Sequence, residues 1–253
     1  VAIDLTGKVA LVTGASGELG RGIARTLAAA GADVAVHYRS NRPAAEKVRD
    51  AIVGMGRRAE LFPADITEEA SVRAMQAAVA SSLGDPDIIV NNAVIQFPWK
   101  PVLEQAVGDY EGQFRSCVLH NVLMAQAFVP AMIRKQWGRV IAINTECAMQ
   151  CWPNQSAYAS AKRGMDGIVR VLAREVGGHG VTVNQVAPGW MVTDRVRQEG
   201  TERQPSYEQN VPLRHRGEDQ DIANVVAFLA SDLAKFITGA YLPVCGGNVM
   251  PCI

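Results

Sequence analysis

Tyr158 and Lys162 stand four residues apart in a segment, 156–176, whose pattern predicts a helix. That spacing puts both side chains on one face, about one turn apart. An unperturbed tyrosine titrates near pH ~10, too high to exchange protons readily at neutrality, and a neighbouring ammonium favours the phenolate. The pair is therefore a candidate for moving a proton to or from an oxygen of a small molecule.

A second cluster is Thr13-Gly14-Ala15-Ser16-Gly17-Glu18-Leu19-Gly20, between a first apolar run (9–13) and a first helical pattern. Glycines there let the backbone turn tightly and bring N–H groups close to a pyrophosphate, whose charge the helix N-terminus stabilises. The next apolar run (34–38) ends in His37-Tyr38-Arg39-Ser40. An acid at that place would suit the ribose hydroxyls of NAD. A guanidinium suits a 2′-phosphate, so the sequence points to NADP with Arg39 as its main contact, NAD being the other possibility. Asp33, just before this run, reads as a turn residue.

The elements that must position these groups alternate. Strands are expected at 9–13, 34–38, 58–62, 87–91, 140–144, 181–186 and 240–244. Helices are expected through about residue 30 and over 43–55, 68–82, 110–136, 156–176 and 219–231. Such alternation, with continuously apolar strands, calls for an α/β fold: one doubly wound parallel sheet of Rossmann type, a single domain over 1–253. The polar stretch 195–217 reads as a lid or an irregular segment.

Composition excludes little else. Lys+Arg and Asp+Glu both number 25, so nucleic acid and membrane are not expected partners. Of the five cysteines none is spaced as CxxC, so no metal site is expected, and reduced thiols in the cytoplasm are the simplest reading. No leader is expected in residues 1–8, and no apolar run is expected to span a bilayer.

Taken together, the glycine-rich turn, Asp65 after the third strand, Asn91-Asn92-Ala93 after the fourth, Tyr158 to Lys162, Pro188-Gly189-Trp190-Met191-Val192-Thr193 and the late Gly246-Gly247 resemble the short-chain dehydrogenase/reductase family over nearly the whole chain. The resemblance implies hydride transfer between a nicotinamide cofactor and a ketone, aldehyde or alcohol, with Tyr158 as general acid or base and Lys162 holding the nicotinamide ribose. Thr145 stands where the family usually has a serine that orients the substrate oxygen. The implied cofactor contacts are Gly14, Ser16, Gly17, Glu18, Leu19 and Gly20 in the turn, Arg39 and Ser40, Asp65 and Ile66 at adenine, Asn92 and Ala93, Tyr158 and Lys162, and Pro188, Gly189, Met191 and Thr193.

The chain departs from the family in the turn, where Glu18 replaces a glycine and the spacing is Gly14-x-x-Gly17-x-x-Gly20. Val94 replaces another glycine. Cys117 stands in place of an asparagine that holds a water on the path to Lys162, and the register argues against Asn121 as a substitute. Cys245 replaces an acid and reads as structural. These departures leave open a nucleotide-binding sensor or scaffold with weak or lost catalysis. A third reading is a 3-oxoacyl-carrier-protein reductase. Gln136 and His179 stand where such enzymes often carry basic residues, which weakens a patch for an acidic carrier. A free small carbonyl compound or alcohol is therefore preferred. Gln96, Glu146, Gln150, Cys151, Trp152 and Trp190 are the expected substrate-facing residues. Apolar stripes at 119–133 and 168–176 point to a homotetramer or homodimer.

Overall fold

A computed structural model describes residues 2–251. Seven parallel strands form one sheet: β1 (Val9–Val12), β2 (Asp33–Tyr38), β3 (Ala59–Pro63), β4 (Ile88–Asn91), β5 (Gly138–Ile143), β6 (Val181–Pro188) and β7 (Tyr241–Val244). Their order is β3-β2-β1-β4-β5-β6-β7. The chain reverses its direction of sheet growth between β1 and β4, and the crevice at the carboxyl ends there is where such sheets bind ligands.

Successive side chains of a strand point to opposite faces, so each strand feeds two cores. Ala10 and Val12 pack with α1 (Glu18–Ala29), α2 (Arg42–Gly54) and α10 (Asp219–Ala230). Val9 and Leu11 pack with the other layer: α3 (Glu69–Ser82), α5 (His120–Lys135) and α7 (Ser156–Val176). The remaining helices are α4 (Val107–Phe114), α6 (Cys147–Gln150), α8 (Asp194–Glu199) and α9 (Pro205–Glu208).

Several expectations need correction. Asp33 is the first residue of β2, not a turn residue. Its carboxylate binds Arg57 and Arg58, each at 2.8 Å, and accepts the Arg58 N–H at 3.0 Å. That anchoring of Arg58 starts β3 one residue late. The segment 195–217 is not structureless, because α8 and α9 lie in it. The long helix is broken by a π turn at Arg115–Leu119. One 18-residue window within Val107–Lys135 has a mean hydropathy of 1.5, so by length and composition this helix is apolar enough to cross a membrane. Buried residues such as Met124, Phe128 and Met132 pack it against the sheet as a core helix. Among the described residues no three candidate metal ligands cluster, and Cys117, Cys147, Cys151 and Cys245 are free; Cys252 lies outside the described residues.

One buried side chain ties this frame to the first turn. His37, on β2, accepts the Gly14 N–H at Nδ1 (2.8 Å), which leaves the proton on Nε2 facing the Ala64 carbonyl at 3.1 Å. Burial pushes its pKa down to about 4. His120, also buried, is pushed down to about 3 for the same reason. Both imidazoles are neutral in the fold, whereas the unfolded chain takes up protons below about pH 6.5, so stability is full above that pH and falls as acid is added. For His37 alone the loss between pH 7 and pH 5 is about 2 kcal/mol. Urea unfolding of His37→Gln should show a pH dependence shallower by that amount. An unchanged slope would mean that His37 is not held neutral in the fold.

Candidate active site

The glycine-rich turn is shaped by contact rather than by composition alone. Gly14 has φ +64°, which a side chain tolerates poorly. A Cβ on Gly20 would lie 2.1 Å from the Gly14 carbonyl oxygen, so α1 can start this close to the loop only with glycine there. The Asn92 amide donates to the Thr13 carbonyl at 2.9 Å, and Thr13 Oγ1 accepts the N–H groups of Asn92 and Ala93. The loops after β1 and β4 are thereby locked together. Glu18 does not turn its charge into the cleft unopposed: it binds Arg21 at 2.8 Å and accepts the Arg195 N–H at 3.1 Å.

A cavity of about 730 Å³ opens above this turn. Gly14, Ser16, Gly17, Glu18 and Leu19 line its floor, and Arg39, Ser40 and Ile66 one end. Asn92, Ala93, Pro188, Gly189, Met191 and Thr193 follow along it, and Gln96, Thr145, Tyr158 and Lys162 close the other end. Gly20 and Asp65 do not line it. Gly20 acts by leaving room, and the Asp65 carboxylate is spent on the N–H and hydroxyl of Thr67. The cradle fits a dinucleotide. A helix N-terminus and a close-approach glycine meet the pyrophosphate place, and Arg39 is exposed with no ion-pair partner among the described residues.

At the far end, Asn144 organises the reacting groups. Its side chain accepts the Thr145 N–H at 2.9 Å and donates to the Lys162 carbonyl at 3.2 Å and to Gln185 Oε1 at 2.6 Å. Lys162 is buried, and Nζ donates to the Ile143 carbonyl at 2.6 Å, 5.8 Å from the Tyr158 ring centre. Burial pushes Lys162 down. Tyr158 is half-buried. Burial pushes the phenol well up, and hydrogen bonding with Thr145 and Gln96 pulls it partly back. In the chain alone desolvation dominates the phenol, and the neighbouring Cys117 and Cys147 push in the same direction.

A second cavity, about 490 Å³, shares Gln96, Thr145 and Tyr158 with the first. Glu146, Gln150, Trp152 and Trp190 line it. Cys151 does not, being an exposed residue at φ +52° that ends α6. Sequence reasoning missed Trp99, Cys147, Gln155 and Tyr207 on its wall. Tyr207 lies on α9, in the stretch read as irregular, and no periodicity marks it. Its hydroxyl accepts the Trp190 N–H at 2.9 Å and donates to Glu146 Oε1 at 2.8 Å. Asn248 binds Glu146 Oε2 at 3.0 Å. Burial pushes the Glu146 carboxyl up, against these hydrogen bonds.

The departures have local explanations. Val94 is not in the left-handed region, so its side chain adds no strain. Cys117 lies buried in the π turn, where its thiol receives Gln113 Nε2 at 3.2 Å. Asn121 reaches back to the Cys117 carbonyl at 2.7 Å and accepts from Asn91 at 2.8 Å. The extra residue in the π turn brings Asn121 to this place, which a regular helical register does not foresee. Cys245 caps a turn, its sulfur receiving the Val249 N–H at 3.3 Å.

Comparison with known proteins agrees with this geometry. The family model described as Enoyl-(Acyl carrier protein) reductase matches residues 14–248. The 3-oxoacyl-(acyl-carrier-protein) reductase of Staphylococcus epidermidis (strain RP62A) is 36% identical, with 96% of this chain and 99% of that protein covered. The reductase of the same name from Escherichia coli (strain K12) is also 36% identical, with 98% and 100% covered. Among solved structures, a blue fluorescent protein from a metagenomic library in complex with NADPH has a TM-score of 0.89 and 35% identity, covering 98% of this chain and 100% of that one. A 7α-hydroxysteroid dehydrogenase complexed with NADH and a 7-oxo bile acid has a TM-score of 0.89 and 34% identity, covering 98% and 97%. The doubly wound sheet, the turn cradle and the Thr145–Tyr158–Lys162 cluster therefore have one common origin: the chain belongs to the short-chain dehydrogenase/reductase family of nicotinamide-dependent oxidoreductases.

Proposed function

We propose that the protein is an NADP-dependent oxidoreductase that interconverts a small ketone or aldehyde and its alcohol in the cytoplasm. The observation that carries this is the shared wall of the two cavities, where Thr145 and Tyr158 face both the dinucleotide cradle and the substrate pocket. Bound in the larger cavity, the dinucleotide supplies or accepts the hydride. Thr145 orients the substrate oxygen, and Tyr158, protonated at neutral pH as an ordinary phenol is and held more firmly so by burial, donates to that oxygen as the carbonyl is reduced. Lys162 sits behind Tyr158 and holds the ribose. Arg39 and Ser40 receive the 2′-phosphate, Ile66 borders the adenine, and Asp65 shapes the turn beneath it.

The curated relatives favour a second reading, reduction of a 3-oxoacyl chain on a carrier protein. The two positions where such enzymes often carry basic residues offer an acidic carrier no free cation. Gln136 and His179 bind each other at 3.3 Å, and Lys135 is spent on Asp87 at 2.9 Å. Self-association is proposed through α4 and α7, where exposed Phe114 and Val171 leave apolar faces open.

Tyr158→Phe should lower kcat by about 10²–10⁴-fold while leaving the dissociation constant for NADPH nearly unchanged. An unaffected rate in an NADPH-oxidation assay would remove Tyr158 from the mechanism, and binding without turnover of any carbonyl by the wild type would favour a sensor. Arg39→Asp should weaken NADPH by about 10–100-fold and NADH far less, as measured by fluorescence titration. An unchanged ratio would take Arg39 out of cofactor choice. Turnover of a 3-oxoacyl thioester on carrier protein far above that of free ketones would select the second reading.

A further inference from the structure

Resting on the oxidoreductase reading, we propose that the cavity beside Tyr158 takes a carbonyl or alcohol substrate carrying a protonated amine. Glu146 is the carboxylate that receives the amine, and the rings of Trp99, Trp152 and Trp190 are its walls.

Glu146 is only 3% exposed and follows Thr145 directly, so it lies one residue from the reacting oxygen. Buried carboxylates are ordinarily paired with a cation. Among the described residues Glu146 has no Lys, Arg or His partner within ion-pair distance, only the Tyr207 hydroxyl and the Asn248 amide. No Lys, Arg or His side chain lines this cavity. The guanidinium groups around it are used elsewhere: Arg163 donates to the Ala148 carbonyl, and Arg216 stacks 4.7 Å over Trp190 and donates to the carbonyls of Trp190, Met191, Thr201 and Glu202.

A buried amide backs the same wall. Gln155 is 8% exposed and on the same wall, and its Oε1 has no hydrogen-bond partner among the described residues. The Glu146 carboxylate brings an acceptor and a negative charge to this wall, beside the Tyr158 and Thr145 hydroxyls. An ammonium with N–H groups supplies donors and positive charge together. The aromatic rings add to this. Trp99 and Trp152 are each about half exposed around the cavity, and the negative faces of indoles attract cations, as Arg216 on Trp190 illustrates. An anionic substrate would meet Glu146 at close range and be repelled, and a hydroxyl-only substrate would leave the charge uncompensated.

The test compares two ketones of one shape, dimethylaminoethyl methyl ketone and isoamyl methyl ketone, in NADPH oxidation by the full chain. The amino ketone should be favoured in kcat/KM by at least about tenfold, and Glu146→Gln should bring the ratio close to one. A neutral ketone preferred by the wild type, or a ratio unmoved by Glu146→Gln, would overturn the inference. If neither ketone is turned over, the oxidoreductase reading is what suffers, and calorimetry decides the inference by itself. The NADPH-loaded wild type should bind phenethylamine at least about tenfold more tightly than phenethyl alcohol at neutral pH. Equal binding, or tighter binding of the alcohol, would overturn it.

Discussion

The side chain of Asn144 carries more of this site than any group that would touch a ligand. It is buried, so both its donors and its acceptor must be satisfied within the protein. It meets that demand by holding the Thr145 N–H, the Lys162 carbonyl and Gln185 at once. Three elements, β5, β6 and α7, therefore share one register. Tyr241 on β7 joins them by donating to the Thr145 carbonyl at 2.6 Å. Losing this amide would orphan several buried polar groups together, so Thr145, Tyr158 and Lys162 are set as a unit on rigid secondary structure.

The walls of the pocket are built differently. They come from α6, α9 and the loops after β4 and β6, which are short and depend on polar ties. The segment after β6 is tied down at both ends. At one end Arg21 bridges Glu18 and Asp194. At the other, Arg197 binds Asp194, Glu218 and Asp219, and buried Arg216 collects four backbone carbonyls. Glu18, a costly residue beside a pyrophosphate when considered alone, is here the contact that joins the glycine-rich turn to this segment. Tyr207 then joins the segment to Glu146. A movement of the segment would be felt at the cofactor cradle and at the substrate wall together.

Local patterns carried much of this into the sequence. Continuous apolar runs marked the strands, and the β-α alternation marked the parallel sheet. The turn and the Tyr158–Lys162 spacing marked the cofactor cradle and the reacting pair, because these groups lie on or directly after regular elements, and the family resemblance added Thr145. What stayed hidden depends on contacts distant in sequence. Asp33 read as a turn residue because its partners, Arg57 and Arg58, come 24 and 25 residues later. The π turn that delivers Asn121 to Asn91 has no compositional mark. His37 looked like part of a basic strand end, yet it is a buried acceptor for Gly14. Trp99 and Tyr207 reach the pocket from segments without periodicity, so only the folded chain brings them to Tyr158.

The electrostatics of the pair give the chemistry a resting direction. Without other charges, burial drives Tyr158 up and Lys162 down, and both shifts favour the neutral forms. A phenol in that state keeps its proton at neutral pH and is loaded as a donor, which suits delivery to a carbonyl oxygen. Removing a proton from an alcohol needs the phenolate, and hence positive charge close to Tyr158. The protein holds little of it free at this end: Lys162 is desolvated, and Arg216 is committed to backbone carbonyls. The fold by itself therefore favours Tyr158 as an acid, and its use as a base depends on the charge of what is bound beside it.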